Sequence, residues 1–430
     1  MDKPPATSAH PWRWVPSLYF CQAVPYVAVV TLSIPMYKRL GVSNADLAFY
    51  TSWLYLPWVI KPLWAPFVER FHTKRWWIVA LQFFIGAGLA ALALVIPGPD
   101  FFRWTLVVFW LLAFSAATHD IASDGFYLLA LPPHQQASFV GIRSTFFRFA
   151  NIAGQGGLVW LAGYLETSTG NIPLAWALIF VPPAVVFFGV AIYHQVFLPR
   201  PADDGPASAT VGAGALADWV AAFAAFFRKP GILVAVLFIL LYRLGEAQLV
   251  KLVQPFLLDP RSVGGLGVGT KEVGIIYGMA GLISLTLGGL LGGWLVSRYG
   301  LKKMLWPMLA AIHAPNLAYV WLAYTQPSDP WLIGAAVSVE QFGYGFGFTS
   351  FVVYMMMIAD GPLRTAHYAI CTGFMALGMM LPGMFAGKIQ SQLSYLGFFI
   401  WVCLATLPSI VATAAIWPKV DPHYGKEAKA

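Results

Sequence analysis

Charged residues are scarce in this chain, and their scarcity excludes a soluble protein. Asp, Glu, Lys and Arg make up 10% of the 430 residues, whereas soluble domains carry about 25%. The mean hydropathy is +0.69. A chain of this composition needs an apolar environment for most of its surface.

Cysteine is equally rare, with three residues at Cys21, Cys371 and Cys403, all inside apolar runs. Their odd number and wide spacing predict packing residues rather than disulfides or metal ligands. Neither the histidines nor the cysteines are spaced as a nucleophile with its base or as a metal cluster. We therefore predict that the protein is not an enzyme and uses no metal or cofactor.

Long apolar runs dominate the chain instead, and a run of about 20 residues is long enough to cross a bilayer. We predict twelve spans, near residues 12–38, 44–67, 76–97, 103–130, 138–165, 172–198, 231–256, 271–297, 303–324, 330–359, 366–388 and 393–417. The predicted fold is an all-α integral membrane protein with 12 transmembrane helices in two six-helix halves, residues 1–198 and 231–430. Residues 199–230 form a predicted cytosolic linker, in which Leu216–Phe227 is an amphipathic helix on the membrane surface.

The net charge of +8 indicates topology rather than nucleic-acid binding. Most Lys and Arg residues fall in loops on the same side as the N-terminus, and the opposite loops keep only Lys38, Arg39, Arg103, Arg261 and Lys271. The positive-inside rule then predicts that both termini are cytosolic. Residues 1–11 are short and polar without a cleavage pattern, so we expect no removable signal peptide.

The first span contains Pro16, Pro25 and Pro35, each of which bends or interrupts a helix. Such breaks persist in membranes where neighbours or a cavity satisfy the freed carbonyls. Gln22 and Tyr26 therefore either face a polar path or are bonded polar groups of a kinked packing helix. Both readings stay open.

Opposite charges recur in spans four and five. Asp120 and Asp124 share a helix face, and Arg148 and Arg143 lie at matching depths, about 15 Å and about 8 Å from the cytosolic end at 1.5 Å per residue. A buried ion needs an opposite charge to be tolerated. We predict the pairs Asp120–Arg148 and Asp124–Arg143, the first with a transport role and the second either a gate or a staple between helices.

His119 and Gln155 lie on the same two spans. The imidazole of His119 is a candidate proton shuttle because its pKa is near neutrality, with packing as the alternative. Gln155 is a candidate contact for polar groups of a solute.

Spans seven and ten carry the deepest charges. Arg243 and Glu246 are three residues apart near the midplane, with Gln254 close to the azimuth of Arg243. A guanidinium suits an anionic solute because it offers a fixed two-pronged donor. Glu340 lies at a depth similar to that of Glu246, as either a proton-carrying carboxylate or a partner for Arg243. The glycines that follow, at positions 343, 345 and 347, predict close helix approach or bending.

Two basic loops stand half a chain apart, one after span two and one after span eight. Weak similarity between halves is typical of two-repeat transporters. With the twelve spans, these loops resemble those of the major facilitator superfamily, which implies that they latch a cytosolic gate. The alternative is that they are solvated loops that only follow the positive-inside rule. The residues assigned to gating are Glu69, Arg70, Lys74, Arg75, Asp124, Arg143, Arg298 and Lys302.

A narrower resemblance covers nearly the whole chain in order. The motifs His119–Gly125, Leu131-Pro132, Phe147-Arg148, Tyr242–Ala247 and Glu340 with its glycines resemble the AmpG-type muropeptide permeases, which are related to siderophore permeases and acetyl-coenzyme A transporters. The resemblance implies proton-driven import of N-acetylglucosaminyl-anhydro-N-acetylmuramic acid and its peptides across a bacterial inner membrane for cell-wall recycling.

We therefore predict a proton-coupled secondary transporter, monomeric, whose partners are an anionic amino-sugar peptide, protons and membrane lipids. The residues predicted to hold substrate are Arg148, Arg243, Gln155, Gln22, Tyr26 and Gln254. Those predicted to carry the proton are Asp120, Glu246, Glu340 and His119. The alternatives are a siderophore or acyl-coenzyme A permease on the same scaffold, and a channel or ligand-sensing receptor.

Overall fold

The computed structural model describes residues 10–65, 68, 71–131, 133–202, 204, 217, 220–359 and 364–426. Within these residues every regular element is a helix. The helices that match the predicted spans are α1 Pro11–Arg39, α2 44–63, α3 Lys74–Val95, α4 Phe101–Ala130, α5 133–169, α6 Ile172–Phe197, α7 Ile232–Leu258, α8 Thr270–Tyr299, α9 301–325, α10 Pro330–Ala359, α11 364–393 and α12 395–416.

Eight helical stretches of the described chain are long and apolar enough to cross a membrane. The last of them, Ala366–Lys419, contains both α11 and α12, which are separated at Ser394 by a φ of 60°. The remaining predicted spans correspond to α2, α5 and α9, whose helices are interrupted by 3-10 or π turns. The all-helical membrane fold is thus confirmed.

Close contacts group the chain into two compact units. Unit 1 contains Met1–Ser33 and Ile60–Ala217, and unit 2 contains Ile34–Val59 and Asp218–Ala430. In unit 1, α3 packs against α4 and α6, while α1 packs against α4 and α5. A Cβ on Gly154 of α5 would collide with the side chain of Val27 on α1, so glycine permits this close crossing.

Unit 2 is built on the packing of α10 against α8 and α9, and of α7 and α2 against the stretch that holds α11 and α12. A Cβ on Gly343 or Gly347 would collide with backbone carbonyls of α9, and one on Gly345 with a carbonyl of α8. The predicted close approach of helices along this strip is confirmed. Of the predicted linker helix, residues 220–227 are described and helical, with Phe226 fully buried in unit 2.

Two helices are broken near their middles. In α1, Pro25 stands just before a π-helical segment, Val27–Leu32, as expected where proline removes a backbone donor. In α7, Ile232–Leu241 ends and Leu244–Leu258 begins on either side of Arg243, whose φ and ψ are −111° and 22°. This break brings a charged side chain to the start of a half-helix deep within the protein.

Candidate functional site

The break in α7 aims Arg243 at two aromatic rings of α10. Its guanidinium carbon lies 5.0 Å from the ring centroid of Tyr344 and 4.9 Å from that of Phe348, and its Nη2 donates to the Tyr344 hydroxyl. Arg243 is 7% exposed, yet its Nε has no hydrogen-bond partner within the described chain. A stacked, buried guanidinium therefore keeps a free N–H donor. The N-terminus of the half-helix adds positive potential at the same point.

Two buried carboxyl groups lie beside this guanidinium, Glu246 at 2% and Glu340 at 1% exposed. Glu340 Oε2 accepts from Tyr319 at 2.9 Å and from Gln341 at 3.0 Å. The oxygens Glu246 Oε2 and Glu340 Oε1 have no donor among the described residues. Glu246 lies close enough to Glu340 and Arg243 to be affected by the charges of both. We call Arg243, Glu246 and Glu340 the unit 2 cluster.

The unit 2 cluster is enclosed by four helices of that unit. Tyr319 comes from α9, Gln341 from α10, and Tyr277 of α8 is hydrogen-bonded to Gln341. Within the described residues neither carboxyl group forms an ion pair with Arg243. The structure therefore contradicts the alternative in which Glu340 forms an ion pair with Arg243. The three charged side chains share a site without neutralising one another.

In unit 1 the predicted pair Asp124–Arg143 is confirmed, because Arg143 Nη2 lies 3.0 Å from Asp124 Oδ1. Tyr19 also donates to Asp124 Oδ1, at 3.2 Å. The guanidinium carbon of Arg143 stands 4.4 Å from the ring centroid of Tyr19 and 5.2 Å from that of Tyr127. Side chains of α1, α4 and α5 thus meet at one ion pair.

The predicted pair Asp120–Arg148 is wrong. Asp120 Oδ2 instead lies 3.9 Å from Lys61 Nζ, and Arg148 is exposed with no ion-pair partner in the described part of the chain. The calculated depths agreed, but Arg148 follows Arg143 by five residues, which turns it about 140° around the helix. Asp120 and Asp124 are only about 40° apart, so one arginine faces α4 and the other does not.

His119 belongs to a buried chain of hydrogen bonds that the sequence did not reveal. Gln82 Oε1 accepts from His194 Nδ1 at 2.9 Å, and Gln82 Nε2 donates to His119 Nε2 at 3.2 Å. Ser17 Oγ and Ser123 Oγ contact the outer ring nitrogens, at 2.9 Å and 3.3 Å. Both ring nitrogens of His119 are occupied, and the chain of hydrogen bonds joins α1, α3, α4 and α6. No short-range pattern links these four helices, so sequence reasoning had no signal to find it.

The remaining predicted polar contacts are scattered over the two units. Gln22 is 7% exposed and its Oε1 has no partner among the described residues. Tyr26 is half-buried one turn further along α1. Gln155 Nε2 donates to Thr31 Oγ1 at 3.4 Å, which joins the π-helical segments of α5 and α1. Gln254 is 3% exposed on α7, in unit 2.

The basic loop of unit 1 is held by an acidic residue from the linker. Asp204 accepts from the backbone N–H groups of Lys74 at 2.8 Å and Arg75 at 3.1 Å, and so caps the start of α3. Arg75 Nη2 donates to the carbonyl of Gln195. Glu69 and Arg70 lie outside the described residues.

In the corresponding loop of unit 2, the basic groups rest on aromatic rings. The guanidinium carbon of Arg298 is 5.6 Å from the ring centroid of Trp294 and 5.8 Å from that of Tyr299. Lys302 Nζ is 5.1 Å from the ring centroid of Trp417. Both predicted gating cations therefore lie at helix ends, and among the described residues neither forms an ion pair.

A network that the sequence did not predict closes the far end of unit 2. Lys38 Nζ lies 2.6 Å from Asp259 Oδ1, and Tyr395 donates to Asp259 Oδ2 at 2.6 Å. Asn44 Nδ2 donates to Tyr395 at 2.8 Å and to Gln390 at 3.0 Å. The network ties α1, α2, α7, α11 and α12 at one end of the unit.

Charged side chains enclosed among the helices of a multi-span membrane protein are typical of transporters. The chain belongs to the Major Facilitator Superfamily, whose family profile matches residues 17–387. The anhydromuropeptide permease of Escherichia coli K12 is 26% identical over 379 residues, which cover 86% of this chain and 73% of the permease. The AmpG 4 transporter of Rickettsia felis is 26% identical over 399 residues, covering 89% of this chain and 91% of the relative.

Solved structures show the same fold. A D-xylose–proton symporter has a TM-score of 0.70 at 16% identity, over 97% of this chain and 99% of that one. A bacterial homologue of the lysosomal transporter Spinster has a TM-score of 0.69 at 15% identity, over 97% of each chain. The protein is thus a multi-pass membrane transporter of this superfamily, and it is similar to the anhydromuropeptide permeases.

Proposed function

We propose that the protein imports anhydromuropeptides, N-acetylglucosaminyl-anhydro-N-acetylmuramic acid and its peptides, together with protons across the bacterial inner membrane. In this proposal the halves 1–198 and 231–430 alternate access to a central site, both termini are cytosolic and the basic loops latch the cytosolic gate. The name of the Escherichia coli relative supports the substrate class. The proposal depends most on one observation, the buried Arg243 with an open donor beside two buried carboxyl groups.

Arg243 is the proposed anchor for the lactyl group of the solute, which is a carboxylate in the disaccharide and an amide carbonyl in its peptide forms. Its contacts with the rings of Tyr344 and Phe348 restrict the guanidinium, and its Nε–H has no acceptor among the described residues. A carboxylate gains a charge-assisted hydrogen bond there in place of water. Gln254, Gln22, Tyr26, Gln155 and Arg148 are proposed to contact the sugar and peptide groups.

Glu246 and Glu340 are the proposed proton carriers. Two carboxylates enclosed together repel each other and lose their hydration, and a proton on one of them removes both costs. An anionic solute at Arg243 would repel a negative charge on the nearby Glu246, so that solute and proton favour each other. Asp120 and His119 are further proposed proton sites, of which His119 has both nitrogens engaged elsewhere.

A ligand panel tests the substrate class. Purified protein is heated with the disaccharide, its tripeptide, a hydroxamate siderophore and acetyl-coenzyme A, and the melting temperature is recorded for each. We expect the disaccharide and its tripeptide to raise it in a saturable way. A saturable rise with the siderophore or the coenzyme A ester alone would overturn the substrate class while leaving the transporter fold intact.

Reconstituted liposomes test the coupling. Uptake of labelled disaccharide is followed with an inwardly directed proton gradient, without it, and with a protonophore. We expect accumulation only with the gradient, and none in protein-free liposomes. Uptake that merely equilibrates, whatever the gradient, would point to a channel or a facilitator and would refute proton symport.

A further inference from the structure

A second buried cation lies on α7, eight residues beyond Arg243. Lys251 is 1% exposed, and in the described part of the chain no carboxylate forms an ion pair with it. Its Nζ donates to Thr51 Oγ1 at 3.1 Å and stands 5.1 Å from the ring centroid of Tyr55. Burying an ammonium group costs free energy when its described partners are one hydroxyl group and one aromatic ring. Its presence calls for an anion in some state of the protein.

The hydroxyl groups of α2 beside this lysine are arranged to receive such an anion. Thr51 Oγ1 donates its proton to the carbonyl of Leu47 at 2.7 Å, so its lone pairs are turned to the ammonium. Ser52 Oγ is fully buried and has no hydrogen-bond partner among the described residues. The ammonium thus keeps spare N–H donors, and the serine keeps an unused O–H.

A glycine of α11, Gly383, lies against both of these groups. A Cβ on Gly383 would lie 2.9 Å from Ser52 Oγ and 3.3 Å from Lys251 Cε, so any larger residue would crowd both groups. The backbone of α11 therefore closes the side of the site without supplying a counter-charge.

We propose that Lys251 and Ser52 bind a peptide carboxylate of the transported solute. Two donors match the two oxygens of a carboxylate, whereas phosphate groups are favoured by the larger donor sets of arginine forks or backbone nests. Lys251 stands about 12 Å along the helix axis from Arg243, a separation that a disaccharide peptide spans between its lactyl amide carbonyl and its peptide carboxylates. This inference rests on the proposed function, and it assigns peptide recognition to a residue distinct from the sugar anchor.

The test compares three solutes in reconstituted liposomes: the disaccharide, its tripeptide, and the same tripeptide with its peptide carboxylates converted to amides. Lys251→Met keeps the length of the side chain and removes the charge. We expect uptake of the tripeptide at limiting concentration to fall about 10- to 100-fold, the range of a charge-assisted hydrogen bond. Uptake of the disaccharide and of the amidated tripeptide should stay at the wild-type level.

Three further variants give the controls. Lys251→Arg should keep most tripeptide uptake, Ser52→Ala should lower it selectively but less, and Lys388→Met should change nothing, since Lys388 is an exposed lysine of α11. An equal loss for all three solutes in Lys251→Met would show that the lysine serves the helices or pairs with a protein carboxylate, and would overturn the inference. Unchanged tripeptide uptake would overturn it too. If the wild-type protein takes up none of the three, it is the proposed function that fails.

Discussion

The two units place their arginines in opposite circumstances. In unit 1, Arg143 is joined to Asp124 at 3.0 Å and covered by two tyrosine rings, and 30% of its side chain is exposed. In unit 2, Arg243 also stacks on two rings, yet it has no ion pair within the described chain and is 7% exposed. The aromatic surroundings are alike. The difference is whether the guanidinium already forms an ion pair with a carboxylate of the protein.

This contrast separates a structural charge from a functional one. A satisfied, partly exposed pair contributes little when broken, because solvent replaces the lost partner. An enclosed guanidinium without a counter-ion is retained at a cost to stability, and evolution keeps such groups mainly where they act on a ligand or an ion. We therefore expect substitution of Arg243 to affect transport and substitution of Arg143 to affect stability.

The largest effect should follow Arg243→Ala. Removing the proposed anchor deletes a charge-assisted hydrogen bond, so disaccharide uptake at limiting concentration should fall about 30- to 150-fold. Uptake by Arg243→Lys should lie between that of the wild type and that of Arg243→Ala, since lysine keeps the charge but lacks the two-pronged donor of arginine. Arg143→Ala is the matched variant in unit 1 and should transport within about threefold of wild type. If both alanine variants are present in the membrane at the wild-type level and take up disaccharide at the same rate, the proposed difference between the two arginines is refuted.

Glu246→Gln should separate movement of solute from movement of protons. Glutamine keeps the shape of the side chain but can neither hold a negative charge nor release a proton. We expect exchange of labelled for unlabelled disaccharide to persist while gradient-driven accumulation is lost. Glu272→Gln, at an exposed position near the start of α8, is the control and should accumulate solute normally. Accumulation by Glu246→Gln at the wild-type level would remove this carboxyl group from the coupling.

Hydropathy and helical rise predicted the all-helical membrane fold and the Asp124–Arg143 pair, because both depend on distance along the chain. The same rise failed for Arg148, since depth alone does not say which way a side chain faces. It also gave no hint of Tyr344 and Phe348 beside Arg243, although both follow Glu340 on α10. Which helix faces which is decided by long-range packing, and one sequence does not record it.

Buried networks were the least predictable part of the molecule. The bonds of Gln82 to His119 and His194 join residues 37 and 112 positions apart, and the contact of Lys251 with Thr51 spans 200 positions. A lone glutamine or lysine in an apolar run carries no mark of its partner. Only the burial cost of each group indicates beforehand that a partner must exist.

Gln82→Leu should lower stability without changing transport directly. Leucine removes the acceptor for His194 and the donor for His119 and leaves two buried ring nitrogens unpaired. Interhelical polar contacts in membranes contribute about 0.6 kcal/mol each on average, up to about 1.7, so the free energy of unfolding should fall by about 1 to 2 kcal/mol. Unfolding in mixed micelles at increasing dodecyl sulfate measures it, with the exposed Gln195→Leu as control. An unchanged free energy of unfolding would mean that these hydrogen bonds do not stabilise the folded protein.

The smallest effect should come from the ion pair itself. Because the side chains of Asp124 and Arg143 are 43% and 30% exposed, their coupling should be about 0.5 to 1 kcal/mol. A double-mutant cycle of Asp124→Asn, Arg143→Met and the double variant in the same micelles isolates this coupling energy. Each single change removes the ion pair, and the cycle subtracts the other contacts that each side chain loses. A coupling of several kcal/mol would mean that this pair is as shielded as the unit 2 cluster, and the distinction between occupied and open arginines would then no longer separate structure from transport.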